Sequence, residues 1–586
     1  MILYTVCLCC YLQLGPADQY KQSMVMRYQI LNLDQQSNLV RKWQCKRLSA
    51  LRIVFLAILV SSCDSPIGLV NKEKSISSSS ENRPNIIFLL ADDQRANTLS
   101  VDGHPYSKTP NIDRLAHTGT RFTNAFTVEP ICAPSRYALM SGQYERTSGL
   151  GFNSPYQVSE NQWQQTYPAL LRKAGYYTGF IGKFGIQYYD LNGGAAAQFD
   201  YWRAHDGWLP FFPKDLPDNP ATKIYRDAKD TITTEIMGEY ITDFLQTRPT
   251  DAPFNLSVSF SAPHNSVVSS MIDNSKDPNC TSRACELMGR PANENLRLKN
   301  HPLYDQLYRN ADIKISEDVG GDPYRFIPEG LLDHEKRKHW YAYNYDRSTE
   351  PEHLVRYYQT IAGIDQVVGE LLTELEQLGI ADNTIIIYSS DHGLLNGEYG
   401  TGGKALLYDL VTRIPLIVYD PRNPSTSTDA ANGNLVLSID VPATILSMAE
   451  IPTPDVFEGR SLINNNVPAR EEIFLESLTV AEGNPFIEGL RTHEWKYMRY
   501  FTPADCPYVE EDLDFSDQQP AFEQLFQLTN DPEEKENLAG VVQHASVLAE
   551  MRAKTAAMSK DLTHRGRLYK KSFLVDSRPK EDVYCW

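Results

Sequence analysis

The sequence predicts an α/β fold: a large mixed, mostly parallel sheet sandwiched by helices, with a smaller C-terminal α+β domain. Three observations carry this expectation. First, "PNIIFLLADDQ" runs a continuous apolar stretch, Ile86 to Ala91, straight into Asp92 and Asp93. That is the pattern of a strand buried on both faces that ends at the edge of its sheet. Second, "NTIIIYSSDHG" repeats the design, with Ile385 to Tyr388 followed by Asp391 and His392. Third, helical patterns lie between the two, among them "YPALLRKAGYYTGF" and the amphipathic "EHLVRYYQTIAGIDQVVGELLTELEQLG", closed by Gly379. Helix and strand in alternation give a parallel or mixed sheet with helices on both faces. Ligands of such sheets sit beyond the carboxyl ends of the strands, so both acidic pairs point to one rim.

With 586 residues the chain exceeds what one core serves. Residues 1–62 read as an N-terminal extension and export signal, 63–83 as a tether, 84–467 as the large domain and 468–586 as the smaller one. The signal reading rests on Arg41, Lys42, Lys46, Arg47 and Arg52, followed by the apolar run Ile53 to Val60, too short to span a bilayer. The run leads to "VSSC", which resembles the lipobox of a bacterial lipoprotein. In that reading Cys63 is lipidated, the Ser-rich "SISSSSENRP" is a flexible tether, and the protein is exported, periplasmic or anchored to a membrane at the cell surface. A simple cleaved signal is the plainer alternative. Residues from about Ile272 to Ser348 read as an irregular insertion, and past about Pro468 short strands precede a closing helix around Val541 to Met558.

The balance of 74 acidic against 56 basic residues, a formal charge of -18, argues against nucleic-acid binding, which needs a basic surface to neutralise phosphates. An anionic ligand must therefore meet local basic clusters. In an exported protein Cys280 and Cys285, and Cys506 and Cys585, form the simplest pair of disulfides. That leaves Cys132 over, in "VEPICAPSRYALMSG" (Val128 to Gly142). Pro134 suits the first turn of a helix that Gly142 ends, so Cys132 stands at a helix N-terminus, where free N–H groups favour an anion.

The motif Cys132 to Arg136, together with "ADD" at Asp92 and Asp93 and "SSDHG" at Asp391 and His392, resembles the type I sulfatases of the alkaline phosphatase superfamily. The likeness extends over "TPNIDRLAHTGTRFTNAF", "RIPLIVYDP" and "EWKYMRY". It implies that a formylglycine-generating maturation enzyme converts Cys132 to formylglycine, a protein-derived cofactor, and that Arg136 steadies it. The hydrated aldehyde has two hydroxyls: one attacks sulfur and expels the alcohol, and the other is then deprotonated so that the C–O bond breaks and sulfate leaves. The resemblance further implies a divalent cation, Ca²⁺ with Mg²⁺ as the alternative, held by Asp92, Asp93, Cys132, Asp391 and His392. His392 is the soft donor in that set. Lys183 matches the lysine of the family's G-K-x-H pattern, but Gly185 stands where that pattern has His. His264 in "SAPHNS" matches the residue that protonates the leaving alcohol, and Lys404 in "TGGKALLYD" matches a lysine on the sulfate.

Further from the sulfate the signals thin out. Trp202, Arg203 and His205 in "YWRAHDGW" combine stacking and polar groups as a sugar subsite would, whereas the basic run "HEKRKHWY" (His334 to Tyr341) reads as a solvated charged turn, with contact to further sulfates on a polymer as the alternative. The expected activity is hydrolysis of sulfate esters on a sulfated oligo- or polysaccharide. A phosphoester or phosphonate monoester hydrolase and a non-catalytic glycan-binding homologue are the competing expectations.

Overall fold

The computed structural model describes residues 83–573 apart from 153–156, 187, 189–190, 206–231, 265–267, 269–303, 305, 424–430, 465, 481 and 503–513. Cys63, the export signal and tether up to residue 82, and the four cysteines expected to pair lie outside the described residues. No described helix is long and apolar enough to cross a membrane.

Among the described residues fourteen strands form the framework: β1 Asn85–Ala91, β2 Thr120–Phe126, β3 Tyr177–Lys183, β4 Tyr201–His205, β5 Phe254–Ser259, β6 Thr384–Ser390, β7 Leu395–Asn396, β8 Gly402–Gly403, β9 Leu416–Tyr419, β10 Ala431–Leu437, β11 Glu472–Ser477, β12 Phe486–Thr492, β13 Trp495–Phe501 and β14 Phe522–Gln527. Eight of them make the main sheet in the order β10-β2-β9-β6-β1-β5-β3-β4. Pairing is parallel throughout except at β9, which runs antiparallel to both neighbours, so the sheet is mixed and mostly parallel as the sequence predicts. Alternate residues of β1 and β6 feed two separate cores. Ile86, Phe88, Leu90, Ile385 and Ile387 pack on one face, with the helices Cys132–Ser141, Tyr167–Lys173 and Asp440–Met448. Ile87, Leu89, Ile386 and Tyr388 pack on the other, with the helices Pro110–Thr118, Thr233–Thr247 and Glu350–Gln377. A strand with both faces covered cannot place a charge until it leaves the sheet, because an unpaired buried charge is too costly. Asp92 and Asp391 are therefore the first residues after β1 and β6 end.

The second sheet is antiparallel, β11-β12-β13-β14. It shares a core with the main sheet through Phe126, Leu437, Phe474, Ile487 and Met498. Three expectations are corrected. "YPALLRKAGYYTGF" is helical only over Tyr167–Lys173, because Gly175 at φ +88 turns the chain into β3. The closing helix spans Ala545–Phe573, well past Met558. "HEKRKHWY" forms the helix His334–Trp340, with Arg337 fully buried rather than solvated.

A buried ion network fastens the closing helix and second sheet to the site-bearing half. Arg146, just past the Cys132 helix, donates to Glu476 on β11 at 2.9 Å, to Glu488 on β12, and to Thr563 of the closing helix at 3.3 Å. Removing one partner of such a network strands the others without solvent. Arg146→Ala is expected to lower unfolding stability by about 3–5 kcal/mol, read as a shifted urea midpoint.

Candidate active site

Five chain segments bring ionisable groups to one rim. Asp92 and Asp93 follow β1, Lys183 ends β3, His264 follows β5, Asp391 and His392 follow β6, and Lys404 follows the small β7–β8 hairpin. The central order β6-β1-β5-β3 makes the first four neighbours in space. Cys132 opens its helix against them and is 7% exposed.

Arg136, one turn into that helix, is the fixed point. Its Nε donates to Asp391 Oδ2 at 3.0 Å, Nη2 lies 3.1 Å from Asp92 Oδ2, and Nη1 donates to the Lys183 carbonyl at 2.9 Å and to Ser259 Oγ. Ser135 adds a 2.6 Å bond to the Asp391 carbonyl. The two acidic segments are joined directly: the N–H groups of Asp93 and His392 both donate to Asp391 Oδ1, at 3.1 and 2.9 Å. Asp93 sits at φ +67, a left-handed conformation that costs a residue with a Cβ about 1 kcal/mol or more and marks a functional turn.

Two lysines flank Cys132. Lys404 Nζ lies 3.1 Å from Cys132 Sγ, 2.9 Å from Asp93 Oδ1 and 3.2 Å from His264 Nε2. Lys183 Nζ donates to Asp92 Oδ2 at 2.5 Å, and Asp92 Oδ1 stands 3.6 Å from the thiol. Burial would raise the thiol, but Lys183 and Lys404 outweigh it and hold Cys132 well below the ordinary thiol range. Burial likewise opposes ionisation of Asp92 and Asp93; Lys183 and Arg136 reverse it at Asp92, and Lys404 and His264 hold Asp93 at about 2. Asp391 goes the other way, up to about 6, from burial and the adjacent charge of Asp92.

Asp92, Asp93, Cys132 and His392 present ligand atoms within 4.8 Å of one another, all buried. His392 Nδ1 stands 3.3 Å from Asp93 Oδ1 and 2.9 Å from the Gly393 carbonyl, while its buried Nε2 has no hydrogen-bond partner. Two carboxylates plus an imidazole nitrogen left unused is a donor set that can hold a metal ion. Asp391 lies against this group, with its second carboxylate oxygen committed to Arg136.

Cys132, Arg136, Lys183, His264, Lys404, Asp92, Asp93, Asp391 and His392 thus come together. Trp202 and Arg203 are engaged elsewhere: Trp202 packs on Phe180, Phe184 and Phe199, and the Arg203 guanidinium lies over the rings of Tyr201 and Tyr240. His205 is the register partner of Lys183 at the end of β4. Sequence reading missed Tyr357, whose hydroxyl donates to the Asp93 carbonyl at 2.7 Å, and Arg337, whose guanidinium grips the hairpin before Lys404. Tyr357 lies in a helix rich in aromatic core residues, so nothing in its spacing distinguishes it.

A buried nucleophilic position between two lysines, at the rim of a helix-covered sheet, defines an enzyme that handles anionic esters. The chain belongs to the sulfatase family, whose model matches residues 84–451, more than half its length, and it is a sulfuric ester hydrolase. The model described as N-sulphoglucosamine sulphohydrolase, C-terminal, matches residues 397–561. The chain is 27% identical over 453 residues to an N-acetylglucosamine-6-O-sulfatase of Bacteroides thetaiotaomicron, covering 71% of this chain and 74% of that one. It is 24% identical to an ulvan-active sulfatase of Formosa agariphila, covering 80% and 83%. Its fold is that of a solved structure of BT4656 in complex with its substrate D-glucosamine-2-N,6-O-disulfate, at TM-score 0.62 and 20% identity over 85% of this chain and 100% of that one.

Gly185 departs from the family pattern for a visible reason. Its φ is +68, and a Cβ there would lie 2.9 Å from Arg136 Cδ and 3.5 Å from Lys183 Cε. Any side chain at 185 both strains the backbone and pushes on the guanidinium that organises the site. Gly185→Ala is expected to cost about 1–3 kcal/mol of stability and to lower turnover as well, measured by thermal melting and sulfate release. Gly185→His, which restores the family residue, is expected to lower turnover too, and a rate above wild type would contradict this account.

Proposed function

We propose that the protein hydrolyses sulfate esters on a sulfated oligo- or polysaccharide, with Cys132 matured to formylglycine by a formylglycine-generating enzyme and a divalent cation, Ca²⁺, at the Asp92–Asp93 rim. The single observation that carries the reading is the Cys132 side chain held between Lys183 and Lys404 and against Asp92, where a lone structural cysteine has no reason to be. The substrate class is supported by the relatives, whose names specify N-acetylglucosamine 6-O-sulfate and ulvan.

Once formed, a hydrated aldehyde at position 132 supplies an oxygen nucleophile that later releases the group it accepted by C–O cleavage. A bound cation supplies Lewis acidity, drawing together sulfate oxygens and easing ionisation of that nucleophile. Asp92, Asp93 and His392 would hold it, with Asp391 beside them. The chain's own residues do the rest. Asp92, Asp93 and Asp391 carry three negative charges against the three positive charges of Arg136, Lys183 and Lys404. Adding a divalent cation leaves the cluster positive, so a sulfate ester meets a complementary field. Lys404, 3.1 Å from Cys132 Sγ, and Lys183, beside Asp92, orient its oxygens at position 132. His264, on the open side with 19% of its side chain exposed and Nε2 beside Lys404, is placed to give the leaving alcohol its proton. Arg136 keeps the carboxylates facing inward. Export, with Cys63 lipidated, belongs to the same reading, because polymeric sulfated carbohydrates lie outside the cell.

Cys132→Ala is expected to abolish turnover. After coexpression with a maturation enzyme, mass spectrometry of the wild-type Cys132 peptide should read an aldehyde, and an unmodified thiol in active protein would refute the mechanism. Side-by-side assays should favour an aryl sulfate over the matching aryl phosphate; strong phosphate preference would move the protein to the phosphoester hydrolases. Chelation should remove activity, with Ca²⁺ restoring it better than Mg²⁺.

A further inference from the structure

Arg337 is fully buried and forms no ion pair among the described residues. Every hydrogen bond it makes goes to a neutral acceptor: Nε to Thr401 Oγ1 at 3.1 Å, Nη2 to the Gly402 carbonyl at 2.5 Å and the Lys404 carbonyl at 3.1 Å, and Nη1 to the Lys404 carbonyl at 3.2 Å and to Asn484 Oδ1. A buried guanidinium without a carboxylate is expensive, and one such group is retained where its charge or its geometry is used. Here four of the five bonds fall on residues 401–404, the stretch that ends in Lys404.

The same stretch has been cleared of side chains to let its neighbours close in. A Cβ on Gly402 would lie 2.7 Å from Asn344 Cβ, and one on Gly403, at φ +95, would lie 2.3 Å from the Tyr341 ring. Tyr341 follows the Arg337 helix directly and donates to Glu482 at 2.7 Å. On the far side, the Ala405 N–H donates to the Pro130 carbonyl at 3.0 Å, two residues before Cys132, and Ser477 Oγ donates to the Ala405 carbonyl at 3.0 Å. The peptide of Lys404 is thus clamped between Arg337 and the segment that carries Cys132.

We infer that Arg337 is a positioning residue for Lys404: its planar fork fixes the Gly402–Lys404 backbone so that the Lys404 ammonium points at position 132. This rests on the reading of Lys404 as a sulfate-binding group. Lysine at 337 cannot substitute, because a single ammonium cannot span the Gly402 and Lys404 carbonyls and the Thr401 hydroxyl together.

A double-mutant cycle between Arg337→Gln and Lys404→Ala tests it, read by calorimetric binding of inorganic sulfate to the full chain and by KM and kcat on an aryl sulfate. Arg337→Gln is expected to weaken sulfate binding and lower kcat/KM by about 10-fold or more, since a bond to a charged group is worth roughly 1.5–3 kcal/mol. Arg337→Lys should not restore either quantity. In the Lys404→Ala background the Arg337→Gln effect should vanish. A full-size effect in that background, or wild-type values for Arg337→Gln, overturns the inference. If Arg337→Gln does not fold, Thr401→Val, which removes the Nε partner together with that hydroxyl's 2.8 Å bond to Tyr345, decides the matter through the same cycle with Tyr345→Phe as the control for the second bond, with a smaller loss that also vanishes beside Lys404→Ala. Wild-type protein that neither binds sulfate nor turns over the ester would instead overturn the anion-site reading itself, an outcome distinct from an Arg337 effect that is present but uncoupled.

Discussion

A single guanidinium organises this site. Arg136 touches Asp391 after β6, Asp92 after β1, the Lys183 carbonyl at the end of β3 and Ser259 at the end of β5, so four strand ends are gauged against one planar group. Like charges repel, and Asp92, Asp93 and Asp391 within one dry pocket would drive one another toward protonation without it. Asp391, raised to about 6, shows how near that limit the cluster sits even so. The position of Arg136 is in turn inherited from the helix that Cys132 opens, so the residue to be modified and the residue that orders the carboxylates move together. Gly185 completes the arrangement by giving the arginine stem room that no side chain could share.

The strand order explains why residues hundreds of positions apart meet. Parallel neighbours β6, β1, β5 and β3 all end at one rim, and none carries an ionisable carboxylate, imidazole or amine before its last residue, so the first such groups at four strand ends gather there. Among the described strands of this sheet the antiparallel member, β9, sits on the side of β6 away from β1, where it interrupts nothing in this group. Burial from both faces then keeps water out beneath the cluster, so every charge-charge interaction above it acts at reduced screening.

Much of this is legible in the chain. The apolar runs ending in Asp92–Asp93 and Asp391–His392 locate two strand ends, and Pro134 with Gly142 brackets the helix that Cys132 opens, whose last residue is capped by Gly142 at φ +68. What sequence cannot supply is mutual direction. Arg136 and Asp391 are 255 positions apart, and nothing local says that one faces the other. Arg337 is concealed differently: it stands in a run of six charged or histidine residues, is the one buried among the five whose side chains are described, and lies in a seven-residue helix too short for its periodicity to reveal which turns inward. Trp202 and Arg203 look like sugar-binding groups in the sequence, yet they meet aromatic neighbours of their own fold because β4 edges the sheet beside Phe180 and Tyr240. The closing helix outruns its expected end because its second half is polar on one side yet still buries Leu562 and Tyr569.

The second sheet does not behave as a detachable appendage. Ser477 ends β11 and Asn484 lies in the loop that follows, and they reach, respectively, the carbonyl after Lys404 and the arginine that grips that lysine's backbone. Leu478 meanwhile donates its N–H to Glu129, three residues before Cys132. Grafting this C-terminal portion from a homologue would therefore exchange part of the reaction centre's scaffolding along with it. An exchange of everything past residue 468 would thus bring foreign supports to the lysine at 404 and alter catalysis along with stability.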